Sequence, residues 1–302
     1  MKHFDIIIVG GGPAGMTAAL YSLRAGKKVL ILEKENFGGQ IANSPRVENI
    51  PSIKEISGLD YSNNLFEQIL DLGAEFELEE VTEITKVDDL FTVTTNYSAY
   101  TSKVVIAATG VSHRSIGIER EEELSGKGIS YCAVCDGTFY KDKNVAVIGD
   151  GNTALQYSIL LTNYCKKVYI CTLFDKFVGD NILAETLRKK ENAEIIHNVS
   201  LKAFLGESEV NGLLFLNKVS NEDLVVNVDG VFIAIGQIPH NDIFKNLVEL
   251  KNGYIVVDEN KETQTKGLYA VGDCTHKQIR QLTTATSDGS IAAINACRYL
   301  DK

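Results

Sequence analysis

From Phe4 to Val9 all but one residue is apolar, and three glycines follow at once. A short apolar run closed by a glycine turn predicts a strand buried on both faces. The next segment, Pro13–Arg24, predicts a helix, because proline is pre-shaped for a first helical turn and its missing N–H costs nothing there. Val29–Glu33, four apolar residues and a closing glutamate, predicts a second strand. The same strand, helix, strand order returns at Asn144–Ile148, Asn152–Thr162 and Lys167–Thr172. Short β-rich runs alternating with helices predict a mostly parallel α/β protein.

Between the two repeats, "KVVIAATG" (Lys103–Gly110) reads as a buried strand entering a tight turn, and "DGVFIAIGQIP" (Asp229–Pro239) repeats the idea. The final stretch, Gly267–Leu300, reads as a strand, a polar loop and a helix. If that last strand and helix complete the first unit's sheet, the second unit is an insertion. The expected fold is therefore α/β, with two Rossmann-like three-layer dinucleotide-binding domains, the second inserted into the first. The first domain is expected at 1–114 and 245–302, and the insertion at 115–244.

A length of 302 residues suits two such domains. With 44% hydrophobic and 23% charged residues the composition is that of an ordinary globular protein. A formal charge of −10 argues against nucleic acid or an anionic membrane as partner. No apolar run approaches the roughly 18 residues of a membrane span. The N-terminus enters a glycine loop after one short strand, unlike a signal peptide, so a cytoplasmic location is expected. Six cysteines in such a compartment do not suggest a disulfide framework, but two of them, in "YCAVCDG", have redox spacing.

Two features carry chemistry. "GGGPAG", Gly10–Gly15, fits G-x-G-x-x-G between a strand and a helix, where glycines let backbone N–H groups reach a pyrophosphate. Glu33 closes the second strand 23 residues after Gly10, where a carboxylate accepts both ribose hydroxyls. Asp273, on a strand-end turn, suits a polyol or phosphate-linked chain, and the combination favours FAD over NAD. The second feature is Cys132-Ala133-Val134-Cys135 followed by Asp136. A helix starting at the pair would lower the pKa of Cys132 and make it the attacking sulfur, with Asp136 placed to pass a proton. A zinc site and two idle buried cysteines are the competing readings, and no metal is expected. Cys165, Cys171, Cys274 and Cys297 read as small packing residues.

Taken together, these stretches resemble the low-molecular-weight thioredoxin reductases nearly from end to end. "GGGPAG", "GGQ" (Gly38–Gln40), "VEN" (Val47–Asn49), "ATG" (Ala108–Gly110), "GD" (Gly272–Asp273), "RQ" (Arg280–Gln281), "DGSIAA" (Asp288–Ala293) and "CAVCD" carry the likeness. The resemblance implies FAD held by Gly10, Gly12, Pro13, Ala14, Gly15, Glu33, Gly39, Gln40, Asn49, Val81, Ala108, Thr109, Gly110, Gly272, Asp273, Arg280, Gln281 and Leu282. It implies that Cys135 is the sulfur nearer the flavin, that Cys132 attacks a thioredoxin-like dithiol protein, and that Asp136 is the general acid. A homodimer and a rotation of the inserted domain are also implied.

The second glycine loop is only partly kept. "GDGNTA", Gly149–Ala154, preserves G-x-G-x-x-A, and the interval from Gly10 to Glu33, counted from Gly149, ends at Thr172. NADH would favour an acid there, and NADPH nearby arginines. Family members with the phosphate clamp read H-R-R-x-x-x-R, whereas this chain has Thr172, Leu173, Phe174 and Val178 at the aligned positions. Asp150 and Asp175 add negative charge where a phosphate would lie. The resemblance thus narrows to the pyridine-nucleotide-independent branch, in which reduced ferredoxin feeds the flavin. Ferredoxins are usually acidic, so Lys27, Lys28, Lys141, Lys143, Lys166 and Lys167 are candidate docking cations, set against the ordinary reading of lysines as solvated surface. The alternatives are an NAD(P)H-dependent reductase with an atypical site, a dithiol oxidase that uses oxygen, a relative that binds a second flavin, and a flavin-bound scaffold without catalysis.

Overall fold

The computed structural model describes residues 1–302, which form two compact units, Met1–Ser112 with Ile238–Lys302, and His113–Gln237. In the first unit the strands Glu75–Leu78, Val29–Glu33, Lys2–Val9 and Ala99–Ala107 lie side by side and parallel. The apolar run of the N-terminal strand sits mid-sheet, with Val9 beside both Leu32 and Ala107, which explains why it carries so few polar residues. Leu90–Thr95 and Val81–Val87 extend the sheet as an antiparallel meander. Leu268–Ala270 pairs in parallel with Ala99–Ala107, so the C-terminal segment belongs to the first unit's sheet.

The helices Pro13–Arg24 and Leu282–Leu300 cover one face of this sheet, and Met16, Ala18, Ala19, Ala292, Ala293 and Ala296 are fully buried there. Their approach is close because the contact is made of small residues. A Cβ on Gly289 would stand 2.3 Å from the Ala14 carbonyl oxygen and 3.1 Å from the Ala18 nitrogen. The opposite face packs on Phe4, Phe91, Phe244 and Ile255.

In the second unit Ala193–Ile196, Lys167–Cys171, Asn144–Ile148, Gly230–Ile233 and Ile129–Ser130 make a five-stranded parallel sheet. A separate antiparallel sheet, Val199–Leu205, Gly212–Asn217 and Asp223–Asn227, shares a core with it around Phe215, Val231 and Leu213. Helix Asn152–Leu161 follows the second glycine loop, with Thr162 as its C-cap.

The helix Pro13–Arg24 and the strands Val29–Glu33 and Asn144–Ile148 have the bounds their sequence pattern predicts. Elsewhere the bounds differ: the N-terminal strand begins at Lys2 and the second glycine loop's helix ends at Leu161. The strand expected over Lys167–Thr172 ends at Cys171, because the Thr172 hydroxyl bonds back to the Phe174 carbonyl at 2.9 Å and turns the chain. Asp229–Pro239 divides into Gly230–Ile233 and Gln237–Pro239, with Gly236 at φ +105° between them. The antiparallel meanders have no counterpart in the expected pattern. No helix is long and apolar enough to cross a membrane.

Candidate active site

Around Gly10–Gly15 the first unit converges three turns. Gly10 holds φ +116°, and a Cβ there would lie 2.2 Å from the Ala108 carbonyl oxygen, so only glycine fits against the "ATG" turn. Gly15 is confined likewise, 2.1 Å from the Gly10 oxygen in the same sense. Gly12 and Gly39 face one another backbone to backbone, and Gly272, at φ +74°, rests against the Ala14 methyl. Pro13 is the first residue of its helix.

Glu33 is the organising carboxylate. Its Oε2 accepts the Gly11 N–H at 2.8 Å and its Oε1 accepts the N–H groups of Lys34 and Glu35 at 2.8 and 3.1 Å. On the far side Asp273 is pushed to a raised pKa by burial, with Lys277 and Arg280 opposing the shift. Its Oδ1 is buried without a hydrogen-bond partner, although Lys277 Nζ is 3.5 Å away. Arg280 donates to the Asp273 and Thr275 carbonyls, each at 3.2 Å, and stacks over Tyr254. Asn49 donates to the Gln281 side chain at 3.2 Å, Gln40 donates to the Val111 carbonyl, and Gln281 caps the helix that begins at Leu282.

Not every residue expected at the cofactor is oriented by such contacts. Val81 is a buried core residue at the start of its strand, and Gly110 has open space around its Cα. In the first unit's site one residue was not foreseen. Asn241, 2% exposed, accepts from the Thr109 hydroxyl at 2.8 Å and donates to the Gly253 and Cys274 carbonyls at 2.8 and 2.9 Å. It pins the "ATG" turn to the turn carrying Asp273. The only sequence signal was a polar residue in "IPHND".

In the second unit Cys132 and Cys135 are joined as a disulfide, with Cα atoms 5.3 Å apart. Cys132 is the N-cap of the single helical turn Ala133–Asp136, and the Cys135 N–H points at its sulfur from 3.2 Å. Burial raises the pKa of Asp136, while a hydrogen bond from Ser130 opposes the shift. Tyr131, just before the pair, donates to Glu121 at 2.9 Å and stacks on His113 with centroids 4.8 Å apart. Burial alone would raise the pKa of Glu121, but bonds from Ser115, Ile116, Gly117 and Tyr131 outweigh it and hold the carboxylate ionised. Cys165, Cys171, Cys274 and Cys297 are buried free thiols, and burial raises the pKa of each, Cys165 to about 11. A thiol held so far above neutrality is a poor nucleophile.

The second glycine loop is tied to its own chain. The Thr172 side chain is fully buried, bonded to the Phe174 carbonyl at 2.9 Å and paired with His197 Nδ1 at 2.6 Å. Asp150 has a pKa raised by burial, and its carboxylate accepts the Phe174 N–H at 3.3 Å. The Asp150 carbonyl takes the N–H groups of Val178 and Gly179, and Asn152 exchanges two hydrogen bonds with Asp180. Leu173, Phe174 and Val178 are left exposed at 42%, 49% and 72%. Asp175, also exposed, adds an anion to the same loop.

Comparison with known proteins settles the family. The model of the pyridine nucleotide-disulphide oxidoreductases matches residues 4–289. The chain belongs to this family. Among relatives, the thioredoxin reductase of Listeria monocytogenes is 39% identical over 303 residues, covering 100% of this chain and 95% of that protein. A Clostridium pasteurianum protein described as a "34.2 kDa protein in rubredoxin operon" is 38% identical, covering 99% and 98%. The solved thioredoxin reductase of Streptococcus pyogenes superposes with a TM-score of 0.96 at 34% identity, covering 99% of each chain. Within the family the chain is a thioredoxin reductase-like, FAD-dependent disulfide oxidoreductase.

The first unit's residues fit FAD. Glu33 presents a carboxylate at the end of the second strand, fixed by three backbone donors. The Gly12–Gly39 approach leaves a backbone surface without side chains, suited to a pyrophosphate. The orphaned Asp273 Oδ1 supplies a buried acceptor that a hydroxyl of the cofactor would satisfy.

Proposed function

We propose that this family member reduces the disulfide of a thioredoxin-like protein through Cys132 and Cys135, with electrons from reduced ferredoxin rather than a nicotinamide. Bound FAD supplies the redox step, since a flavin takes electrons singly and delivers them in pairs. In the roles the family resemblance implies, Cys135 exchanges electrons with the flavin and Cys132 attacks the partner disulfide. As the disulfide opens, the Cys135 N–H aimed at the Cys132 sulfur stabilises negative charge on it. Asp136, kept toward its neutral form by burial, protonates a departing sulfur as general acid. The active species is taken to be a homodimer.

The observation that carries the donor assignment is the collapsed grip after the second glycine loop. Thr172 is wholly buried and its hydroxyl is spent on the protein itself. The neighbouring N–H of Phe174 is taken by Asp150. Leu173, Phe174 and Val178 supply no arginine for a 2′-phosphate, the Lys218 ammonium is turned to the Leu173 carbonyl at 3.4 Å, and Thr172 offers no carboxylate for ribose hydroxyls. Two or three missing charge-assisted contacts at about 1.5–3 kcal/mol each weaken NADPH by orders of magnitude.

Of the lysines suited to an acidic donor, Lys27, Lys28 and Lys167 are engaged by Asp301, Glu75 and Glu194. Lys141, Lys143 and Lys166 lie together, with the Lys166 N–H bonded to the Lys143 carbonyl at 2.8 Å. They are the better docking candidates.

One observation favours a nicotinamide-dependent reading. Gly149 is explained by packing, since a Cβ there would lie 2.5 Å from the Ala234 oxygen, but Gly151 has nothing within 4 Å and no internal need to be glycine. Anaerobic titration of the holoprotein with NADPH, NADH and reduced ferredoxin, following flavin bleaching, separates the two. Ferredoxin bleaches the flavin under the first reading, and a nicotinamide does so under the second.

A further inference from the structure

One hydroxyl joins the acid to the cysteine pair. Ser130 ends the short strand Ile129–Ser130, two residues before the first redox cysteine, and is 5% exposed. Its Oγ donates to Asp136 Oδ2 at 2.6 Å and accepts the Cys132 N–H at 3.1 Å. A serine hydroxyl has one proton and two lone pairs. With a backbone N–H on a lone pair, the proton is aimed at the carboxyl. Tyr140 and Tyr157 are the other titratable groups facing Asp136, and the Tyr157 hydroxyl is directed to the Tyr131 carbonyl at 3.4 Å. No ion pair holds the carboxyl, so Ser130 is what orients it.

We propose that Ser130 is a positioning residue for proton transfer at the disulfide, fixing Asp136 through Oδ2 and so leaving Oδ1 as the oxygen that carries and delivers the proton. Opening the Cys132–Cys135 bond consumes two electrons from the reduced cofactor and leaves two negatively charged sulfurs. Asp136 gives its proton to one of them, and the carboxylate left behind is reprotonated from solvent. The Ser130 hydroxyl stabilises that carboxylate, while its bond to Cys132 N–H keeps acid and sulfur in one register. This inference rests on the assignment of Asp136 as the acid.

The test uses flavin-loaded protein labelled with ¹³C at aspartate carboxyls, the Asp136 signal being assigned with Asp136→Asn. Ser130→Ala removes a hydrogen bond to the charged form, so the Asp136 titration moves up by about one to two pH units. Ser130→Cys, a weaker donor of similar size, moves it the same way by less, and also serves if the alanine variant does not fold. Ser130→Thr keeps the hydroxyl and stays near the parent. In single-turnover dithiol formation the rate falls as the acid ionises, so the alkaline limb moves upward with the titration. An unmoved Asp136 titration in folded Ser130→Ala overturns the proposal. So does an equal shift of the rate profile when Ser130→Ala is placed on Asp136→Asn, since the serine would then act independently of the acid. If Asp136→Asn leaves rate and profile unchanged, the assignment of the acid fails instead, and the carboxyl titration still reports the Ser130 contact.

Discussion

The N–H of Gly11 donates to Oε2 of Glu33 at 2.8 Å, so the glycine turn itself holds the carboxylate that closes the second strand. That carboxylate is therefore oriented before any cofactor arrives. Glu33→Ala removes the ribose acceptor and leaves the Gly11 N–H without its partner. Loss of a charge-assisted contact of about 1.5–3 kcal/mol weakens FAD binding roughly 10- to 100-fold. Flavin released on gel filtration at sub-micromolar protein measures this, and a variant as fully loaded as the parent refutes the assignment.

The two sulfurs are expected to behave differently. Cys132→Ser leaves Cys135 as the remaining thiol, and a long-wavelength charge-transfer band between its thiolate and the oxidised flavin is expected on raising the pH. Cys135→Ser gives no such band. The opposite pattern inverts the roles. Asp136→Asn slows thiol–disulfide exchange by about 10²–10⁴-fold, the usual loss for one acid–base group.

His113 provides a pH dependence that is independent of catalysis. Burial lowers its pKa to about 4 from 6.5, and it stacks on Tyr131. Between these values the unfolded chain binds a proton that the folded protein refuses, so stability falls as pH drops from 6.5 to about 4 and changes no further with this group below that. The full shift corresponds to about 3 kcal/mol. His113→Phe keeps an aromatic partner for Tyr131 and removes this share of the acid sensitivity. Urea midpoints at pH 7 and pH 5 measure it, and an unchanged difference between the two counts against a buried neutral histidine.

Much of this architecture was legible because local chemistry and tertiary context agree. The mid-sheet strand up to Val9 needs unbroken apolar residues, and Gly10 and Gly15 are required by contacts as close as 2.1–2.2 Å. The antiparallel meanders were not legible, because Val81–Val87 alternates buried and exposed positions too irregularly to declare itself, and its pairing with Leu90–Thr95 carries a register shift. Ser130 and Asn241 were missed for another reason. Each acts by bonding residues remote in sequence or lying on another turn, and an isolated polar residue gives no periodicity to read. Thr172 shows the reverse case. Its position was found by counting, yet only the structure shows that its side chain is buried in the protein and bonded to His197.

That burial decides how a nucleotide grip is best rebuilt. The H-R-R-x-x-x-R pattern that the resemblance implies would put histidine at Thr172, but this position is 0% exposed and bonded to His197, so a histidine would be forced into the core. Leu173, Phe174 and Val178 are exposed and accept arginine at little cost. Arginines there still face the Asp150 carboxylate, which takes the Phe174 N–H and competes with a phosphate for them. The triple variant Leu173→Arg, Phe174→Arg, Val178→Arg is thus expected to gain little alone, and to bind NADPH about 10- to 100-fold tighter once Asp150→Gly is added. The gain is selective for NADPH over NADH, because the new contacts address the 2′-phosphate. Calorimetry with both nucleotides tests the grip separately from flavin reduction. If the parent protein already binds NADPH tightly, or its flavin is bleached rapidly by either nicotinamide, the collapsed grip does not exclude nucleotide and the ferredoxin assignment falls.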